Sequence, residues 1–115
     1  MLTSSSRSSI KFYEDTSPIG SLCAIECSEE SFRLIKLNWG AEEDYERNRD
    51  GEVEMCWTIQ GEAFARLMKV CNDAKTPKDV NTFIREHFVA YKRQVHIKLL
   101  KWFDKKGINY YYSEY

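Results

Sequence analysis

The hydrophobic periodicity of the chain changes near residue 60, and this change constrains the fold more than any other feature. Over residues 32–39 and 53–59 apolar side chains alternate with polar ones, as in a half-buried β-strand. Beyond that point apolar residues recur at intervals of three and four, as on one face of a helix, at Phe64, Leu67, Met68 and Cys71. Strands that precede helices are typical of an α+β domain.

The complete pattern predicts the element order ββββααβ. We expect an antiparallel sheet of four to five strands, packed on two to three helices that lie on one face. The predicted strands cover residues 10–13, 21–27, 32–39, 53–59 and 108–115, and the predicted helices cover about 61–71 and 77–106. The Ser-rich residues 1–9 are predicted to be a flexible N-terminal segment, and residues 10–115 to form a single domain.

The second predicted helix has a well-marked start and an uncertain middle. Thr76 is a suitable N-cap, Pro77 fits the first helical position, and Asp79 favours the positive end of the helix dipole. Gly107 is a plausible residue to follow the last turn. A continuous helix of some 30 residues would span roughly 45 Å, which is long for one domain. The sequence leaves open whether the helix is broken near residues 86–90.

Composition excludes several classes of protein. The chain has 7 Tyr, 6 Phe and 3 Trp residues and a net charge of −1, whereas a disordered chain has few rings and a high net charge. No run of 18 apolar residues predicts a transmembrane helix, and no apolar segment near residue 1 predicts a secretory signal. We therefore expect a cytoplasmic protein that has no membrane partner.

The cysteine pattern predicts free thiols. Cys23 and Cys27 lie four residues apart in a predicted strand, which separates them by roughly 13 Å. That separation is too large for a shared disulfide or a shared zinc ion without a bend. We expect all four cysteines to be reduced and mostly buried, acting as small apolar side chains.

No catalytic, metal or cofactor motif is present in the sequence. The five glycines are scattered and form neither of the common phosphate-binding patterns. His87 and His96 are nine residues apart, so on one helix they point to different sides and cannot chelate one ion. His96 is expected in the core or in an interface. We predict no metal, no cofactor and no enzymatic activity, with a small enzyme as the least favoured class.

Residues 40–52 form a dense acidic segment, which we predict to be a long loop. Two arrangements are open: the acids pack against the basic helix and are structural, or they face solvent and attract a basic protein. We favour the second, because the lysines of the predicted basic helix lie opposite the face that must cover the sheet, and tyrosines, which are enriched in binding sites, follow near residue 110. The predicted partner-binding residues are Glu42, Glu43, Asp44, Glu46, Asp50, Glu52, Tyr110 and Tyr112.

The charge of the chain is divided between its two halves. Residues 1–62 contain 13 acidic and 6 basic residues, a balance of −7, whereas residues 63–115 contain 5 acidic and 11 basic residues, a balance of +6. Part of the basic excess is a lysine stripe on the second helix, which is either a solvated face or a phosphate-binding surface. The residues of this alternative nucleic-acid site are Arg93, Lys98, Lys101 and Lys105.

These observations favour a small protein-binding module over the other classes. We expect an inhibitor or immunity-type protein whose acidic loop engages a basic protein partner, such as a nuclease or a toxin. The alternative is a nucleic-acid-binding accessory protein that uses the basic stripe. The oligomeric state and the identity of the partner are not encoded in any pattern of the sequence.

Overall fold

The computed structural model describes residues 7–115 and has the predicted α+β architecture. Five antiparallel strands form one sheet in which each strand pairs with its sequence neighbours, in the order β1-β2-β3-β4-β5. The strands are β1 (Ser8–Asp15), β2 (Gly20–Cys27), β3 (Ser31–Trp39), β4 (Glu52–Gln60) and β5 (Tyr111–Glu114). The sequence predicted each of them, although β1 is longer than expected and β5 is shorter.

The predicted flexible segment, residues 1–9, is only partly open to comparison. Ser8 and Ser9 already belong to β1, where they pair with Cys27 and Glu26 of β2. The first strand therefore begins two residues earlier than the pattern indicated. Residues 1–6 lie outside the described part of the chain.

Between residues 7 and 115 the chain also forms four α-helices and one 3-10 helix. The three larger helices pack on the same face of the sheet, as expected. The helices are α1 (Glu42–Arg47), α2 (Glu62–Val70), α3 (Pro77–Phe88) and α4 (Val95–Lys106), and the 3-10 helix covers Val89–Gln94.

The core lies between the sheet and α2, α3 and α4. Phe32 of β3 meets Phe103 of α4 edge to face, with ring centroids 5.8 Å apart. The apolar faces of the predicted strands and helices indicate six core residues, and five of them are buried: Leu34, Phe64, Leu67, Val95 and Leu99. Trp57 is only half-buried. Its neighbour in the short strand β5 is Tyr112, whose exposed ring lies with its centroid 5.2 Å from that of Trp57 and covers it only in part.

The long helical region is broken, which answers the question that the sequence left open. The capping contacts at Thr76 and Asp79 form as expected. Helix α3 ends at Phe88, and Lys92 in the following 3-10 helix has φ 55° and ψ −122°, outside any helical conformation. A straight helix of roughly 45 Å would overrun strands of eight or nine residues, which span roughly 30 Å. The break lets α4 fold back over the sheet.

The acidic segment is not the long loop that the sequence predicted. Residues 42–47 form helix α1, at the end of the sheet where β3 stops and β4 starts. Acidic residues fill its first turn, where the positive end of the helix dipole favours negative charge. Gly51, with φ 71°, then lies against the Tyr45 ring, where a Cβ atom would be only 2.5 Å from that ring. Glycine is favoured there because it adopts a positive φ without strain, and because a side chain would force the Tyr45 ring to move.

Candidate functional site

Helix α1 uses one of its acidic side chains for its own structure. Asp44 is 4% exposed, and its carboxylate accepts a hydrogen bond of 3.1 Å from the Ala41 N–H. This bond satisfies a main-chain donor at the start of the helix that has no partner within it. Glu42, Glu43 and Glu46 are exposed. Asp44 is therefore a structural residue, and the acids that a partner can reach are its neighbours.

The C-terminal strand lies beside this acidic helix. Arg47 in the last turn of α1 forms a salt bridge with Glu114 of β5, and Glu114 also accepts a 2.6 Å hydrogen bond from the Tyr112 hydroxyl. Farther along, Glu54 and Tyr115 exchange two main-chain hydrogen bonds of 2.9 and 2.8 Å. The fold thereby brings the acidic segment and the end of the chain together, although some 60 residues separate them.

Acidic and tyrosine side chains are exposed on the elements that meet at this junction. The rings of Tyr45, Tyr112 and Tyr115 are 57%, 46% and 68% exposed. Within residues 7–115, none of the exposed acids of the segment takes part in a salt bridge. We call the following set the acidic surface: Glu42, Glu43, Glu46, Asp50, Glu52, Tyr45, Tyr112 and Tyr115.

Tyr110, which the sequence placed with the acids, lies elsewhere. Its hydroxyl donates to Asp104 of α4 at 3.1 Å, and its ring is 6.1 Å from that of Phe103. Burial and the Asp104 carboxylate raise the pKa of Tyr110. This tyrosine belongs to the packing of the chain end on α4 and not to the acidic surface.

The lysine stripe borders a groove between α3 and α4. Lys98, Lys101 and Lys105 line one wall, and aromatic side chains form the floor and the other wall. The groove has a volume of about 330 Å³, and no acidic side chain lines it. We call it the lysine groove; it is lined by Phe83, His87, Phe88, Tyr91, Lys98, Lys101, Trp102 and Lys105.

The rings of the lysine groove are held in place by contacts with each other. The rings of Phe83 and His87, one helical turn apart, stack with centroids 4.0 Å apart. The Nδ1–H of His87 donates to the Phe83 carbonyl oxygen at 2.8 Å, which fixes the orientation of the imidazole. Lys98 Nζ lies 5.5 Å from the centroid of the Tyr91 ring, a cation–π contact.

Sequence reasoning missed the aromatic half of this groove. It treated residues 77–106 as one helical pattern and left a break near residues 86–90 open, so the rings of α3 and the lysines of α4 were assigned to one helical wheel. The available signal was the interleaving of Trp102 with Lys98, Lys101 and Lys105, together with Phe83 and His87 at helical spacing.

Arg93, the fourth predicted basic residue, does not line the lysine groove. It lies in the 3-10 helix and turns toward the edge of the sheet. Its guanidinium contacts Asp15 at 3.3 Å and Ser21 at 3.2 Å, and lies 5.0 Å from the Tyr13 ring. Arg93 therefore connects the helix layer to β1 and β2, and the structure brings together only three of the four residues.

A half-buried basic pair lies between the sheet and the start of α4. Lys36 of β3 donates a hydrogen bond of 2.6 Å to the side-chain amide oxygen of Asn38, and burial lowers the pKa of Lys36. Burial also lowers the pKa of His96, and the charge of Lys36 lowers it further. The His96 ring lies 6.2 Å from that of Trp57. The expectation of a core histidine is thus met in part, since one side of the ring is packed.

The four cysteines are free and buried, as the sequence predicted. Burial raises the pKa of Cys23, Cys27 and Cys71 to about 12. Thiols with such a pKa stay protonated at neutral pH and are poor nucleophiles and poor metal ligands. These side chains therefore act as core packing.

The described residues contain no cluster of three or more His, Cys, Asp or Glu that could hold a metal ion. In the same part of the chain, no helix combines the length and the apolar character needed to cross a membrane. Comparisons of the chain with protein-family models, with curated proteins and with solved structures found no match.

Proposed function

We propose that this protein binds a basic protein partner through the acidic surface. The observation that carries the proposal is the junction of α1 with β5, where the Arg47–Glu114 salt bridge brings the exposed carboxylates of α1 close to a strand that carries exposed tyrosine rings. Carboxylates without a partner keep their charge available to attract a basic surface, which raises association rates. Tyrosine supplies contact area at a low entropic cost and is enriched in binding hot spots.

The partner class follows from the same chemistry. Proteins that bind nucleic acids carry basic surfaces that contact phosphates. An acidic surface occupies such a site in place of the phosphates, so binding inhibits the partner. We therefore propose an inhibitor or immunity-type protein, and a nuclease or a nucleic-acid-binding toxin as its target.

The test compares three forms of the full chain. The first is the wild type, and the second is E42Q/E43Q/E46Q, which neutralises α1 and leaves the structural Asp44 in place. The third, E29Q/E30Q/D73N, removes the same charge from exposed acids that lie outside the acidic surface. Each is used to capture proteins from the source cells, and a captured basic protein is purified for kinetics and for a nucleic-acid cleavage assay.

We expect the wild type and the control variant to capture the same basic protein and to inhibit it. The α1 variant should associate at least about tenfold more slowly at low ionic strength, and its rate should depend less on salt. Equal association rates for the α1 variant and the control variant would show that the acidic surface is not the binding site. Capture of acidic proteins only would exclude the proposed partner class.

A further inference from the structure

The lysine groove has a chemistry that the acidic surface and its proposed partner do not use. Three cationic side chains stand along one helix at positions i, i+3 and i+7, so they follow a line of roughly 10 Å beside the groove. No carboxylate lines the groove to neutralise them. The charge of this surface is therefore complementary to a polyanion that extends along α4.

The aromatic rings of the groove indicate a second property of its ligand besides negative charge. Tyr91 and His87 are exposed and Trp102 is half-exposed, so flat ring surfaces face the space between the helices. Stacking of Phe83 on His87 and the contact of Lys98 with Tyr91 hold these rings in place before anything binds. An occupant that fits carries flat rings as well as negative charge.

We propose that the lysine groove binds single-stranded nucleic acid, with phosphates on the three lysines and bases on the aromatic rings. Unpaired bases stack on aromatic side chains while a basic groove follows the backbone, which is the common chemistry of single-strand binding. A volume of about 330 Å³ accommodates a base and lies near the lower limit of ligand pockets. A duplex is excluded from this mode, because its bases are already stacked inside the helix.

The proposal predicts a specific order of affinities. Labelled oligonucleotides of about 12 nucleotides, oligo(dT) and oligo(U), are titrated with the full protein at several salt concentrations and followed by fluorescence anisotropy. A duplex of the same length and a labelled oligo-glutamate peptide are the comparison ligands. We expect the single strands to bind at least tenfold more tightly than either comparison ligand. The ratio between oligo(dT) and oligo(U) then identifies DNA or RNA as the source.

A lysine variant and a matched control test the charged wall. For K98Q/K101Q/K105Q we expect at least a tenfold loss of affinity and a decrease of about 2 in the slope of log affinity against log salt, at about 0.7 per phosphate contact. The control, K69Q/K75Q/K78Q, removes the same charge from exposed lysines outside the groove and should change affinity less than threefold.

A ring variant tests the aromatic floor separately. Tyr91→Ala removes an exposed ring and should lower affinity about tenfold with an unchanged salt slope, since stacking is not an ionic contact. Tyr45→Ala, an exposed ring on the acidic surface, is the control and should have no effect. Far-UV circular dichroism and the unfolding midpoint confirm that each variant is folded.

Three results would overturn the proposal. Binding of the duplex or of the oligo-glutamate peptide as tightly as the single strands means that charge alone is recognised. Equal losses for the two lysine variants mean that binding is not located in the groove. An unchanged affinity for Tyr91→Ala means that bases do not stack on this ring.

Discussion

The side-chain amide of Asn81 donates a hydrogen bond of 2.8 Å to the main-chain carbonyl oxygen of Ser8. Asn81 lies in α3 and is fully buried, whereas Ser8 is the first residue of β1, at the edge of the sheet. A side chain in the helix layer thus fixes the start of a strand that is 73 residues away in the sequence. Among residues 7–115, the oxygen of the same amide finds no hydrogen-bond donor.

We expect Asn81→Ala to lower the free energy of unfolding by about 1–3 kcal/mol, because it leaves the Ser8 carbonyl oxygen without its partner. Urea denaturation at neutral pH measures the change. Asn109→Ala is the control, since Asn109 is exposed and its side chain makes no hydrogen bond with a described residue; it should change stability by less than about 0.5 kcal/mol. Similar losses in the two variants would mean that the bond to Ser8 contributes nothing.

The core provides a second prediction, about the relative cost of two ring deletions. Phe103 is fully buried and packs against Phe32, so Phe103→Ala should cost about 3–5 kcal/mol through lost burial and the cavity left behind. Trp57→Ala should cost less, although tryptophan is the larger side chain, because Trp57 is half-exposed and its site stays open to water. Denaturant unfolding of both variants decides the order, and a larger cost at Trp57 would contradict this assignment of the core.

The sheet was predictable because its signal is local. Alternation in residues 32–39 and 53–59 fixed which side chains face the helices, and the register of β3 with β4 confirms it: Leu34 pairs with Trp57, and Phe32 with Ile59. Each strand then pairs with its sequence neighbour, so no long-range choice was needed.

The lysine groove was not predictable in the same way, because it depends on where the helical region breaks. No Pro or Gly marks the break, and the non-helical residue is Lys92. A helical wheel of residues 77–106 therefore could not place Phe83 opposite Lys101. The burial of Asp44 could not be predicted either, because it depends on helix α1, which the charge pattern did not indicate.

The backbone at Lys92 yields a third prediction. With φ 55° and ψ −122°, this lysine occupies a region that only glycine adopts without strain. We expect Lys92→Gly to raise the free energy of unfolding by about 1 kcal/mol. Removing the Cβ relieves backbone strain on the order of 1–3 kcal/mol in the folded state, and the greater conformational entropy of glycine in the unfolded chain offsets part of this gain.

Lys101→Gly is the matched control for that variant. Lys101 has the same side chain and is also exposed, but it lies inside helix α4, where glycine should destabilise by about 1 kcal/mol. Thermal or urea unfolding gives both values. If the two substitutions destabilise equally, Lys92 is not strained in solution.

The fourth prediction concerns the pH dependence of stability and rests on His96. Burial, and then the charge of Lys36, lower the pKa of this imidazole below its ordinary value of 6.5. Below pH 6.5 the unfolded chain therefore binds a proton at His96 that the folded chain does not bind. Linkage then requires that this residue reduce stability as the pH falls below 6.5, and that it have no effect at higher pH, where both states are neutral.

His96→Phe tests this expectation, because it keeps an aromatic ring beside Trp57 and removes the titratable group. Urea unfolding is measured at pH 7.0 and pH 5.0, and we expect a smaller loss of stability on acidification for the variant than for the wild type. His87→Phe is the control: His87 is exposed in the lysine groove, so the pH-dependent loss caused by His96 should persist. An NMR titration of the wild type checks the cause directly, since the His96 ring protons should titrate with a midpoint below 6.5. A midpoint at or above that value, together with equal losses in wild type and His96→Phe, would show that the imidazole is solvated and that its burial beside Lys36 does not control acid stability.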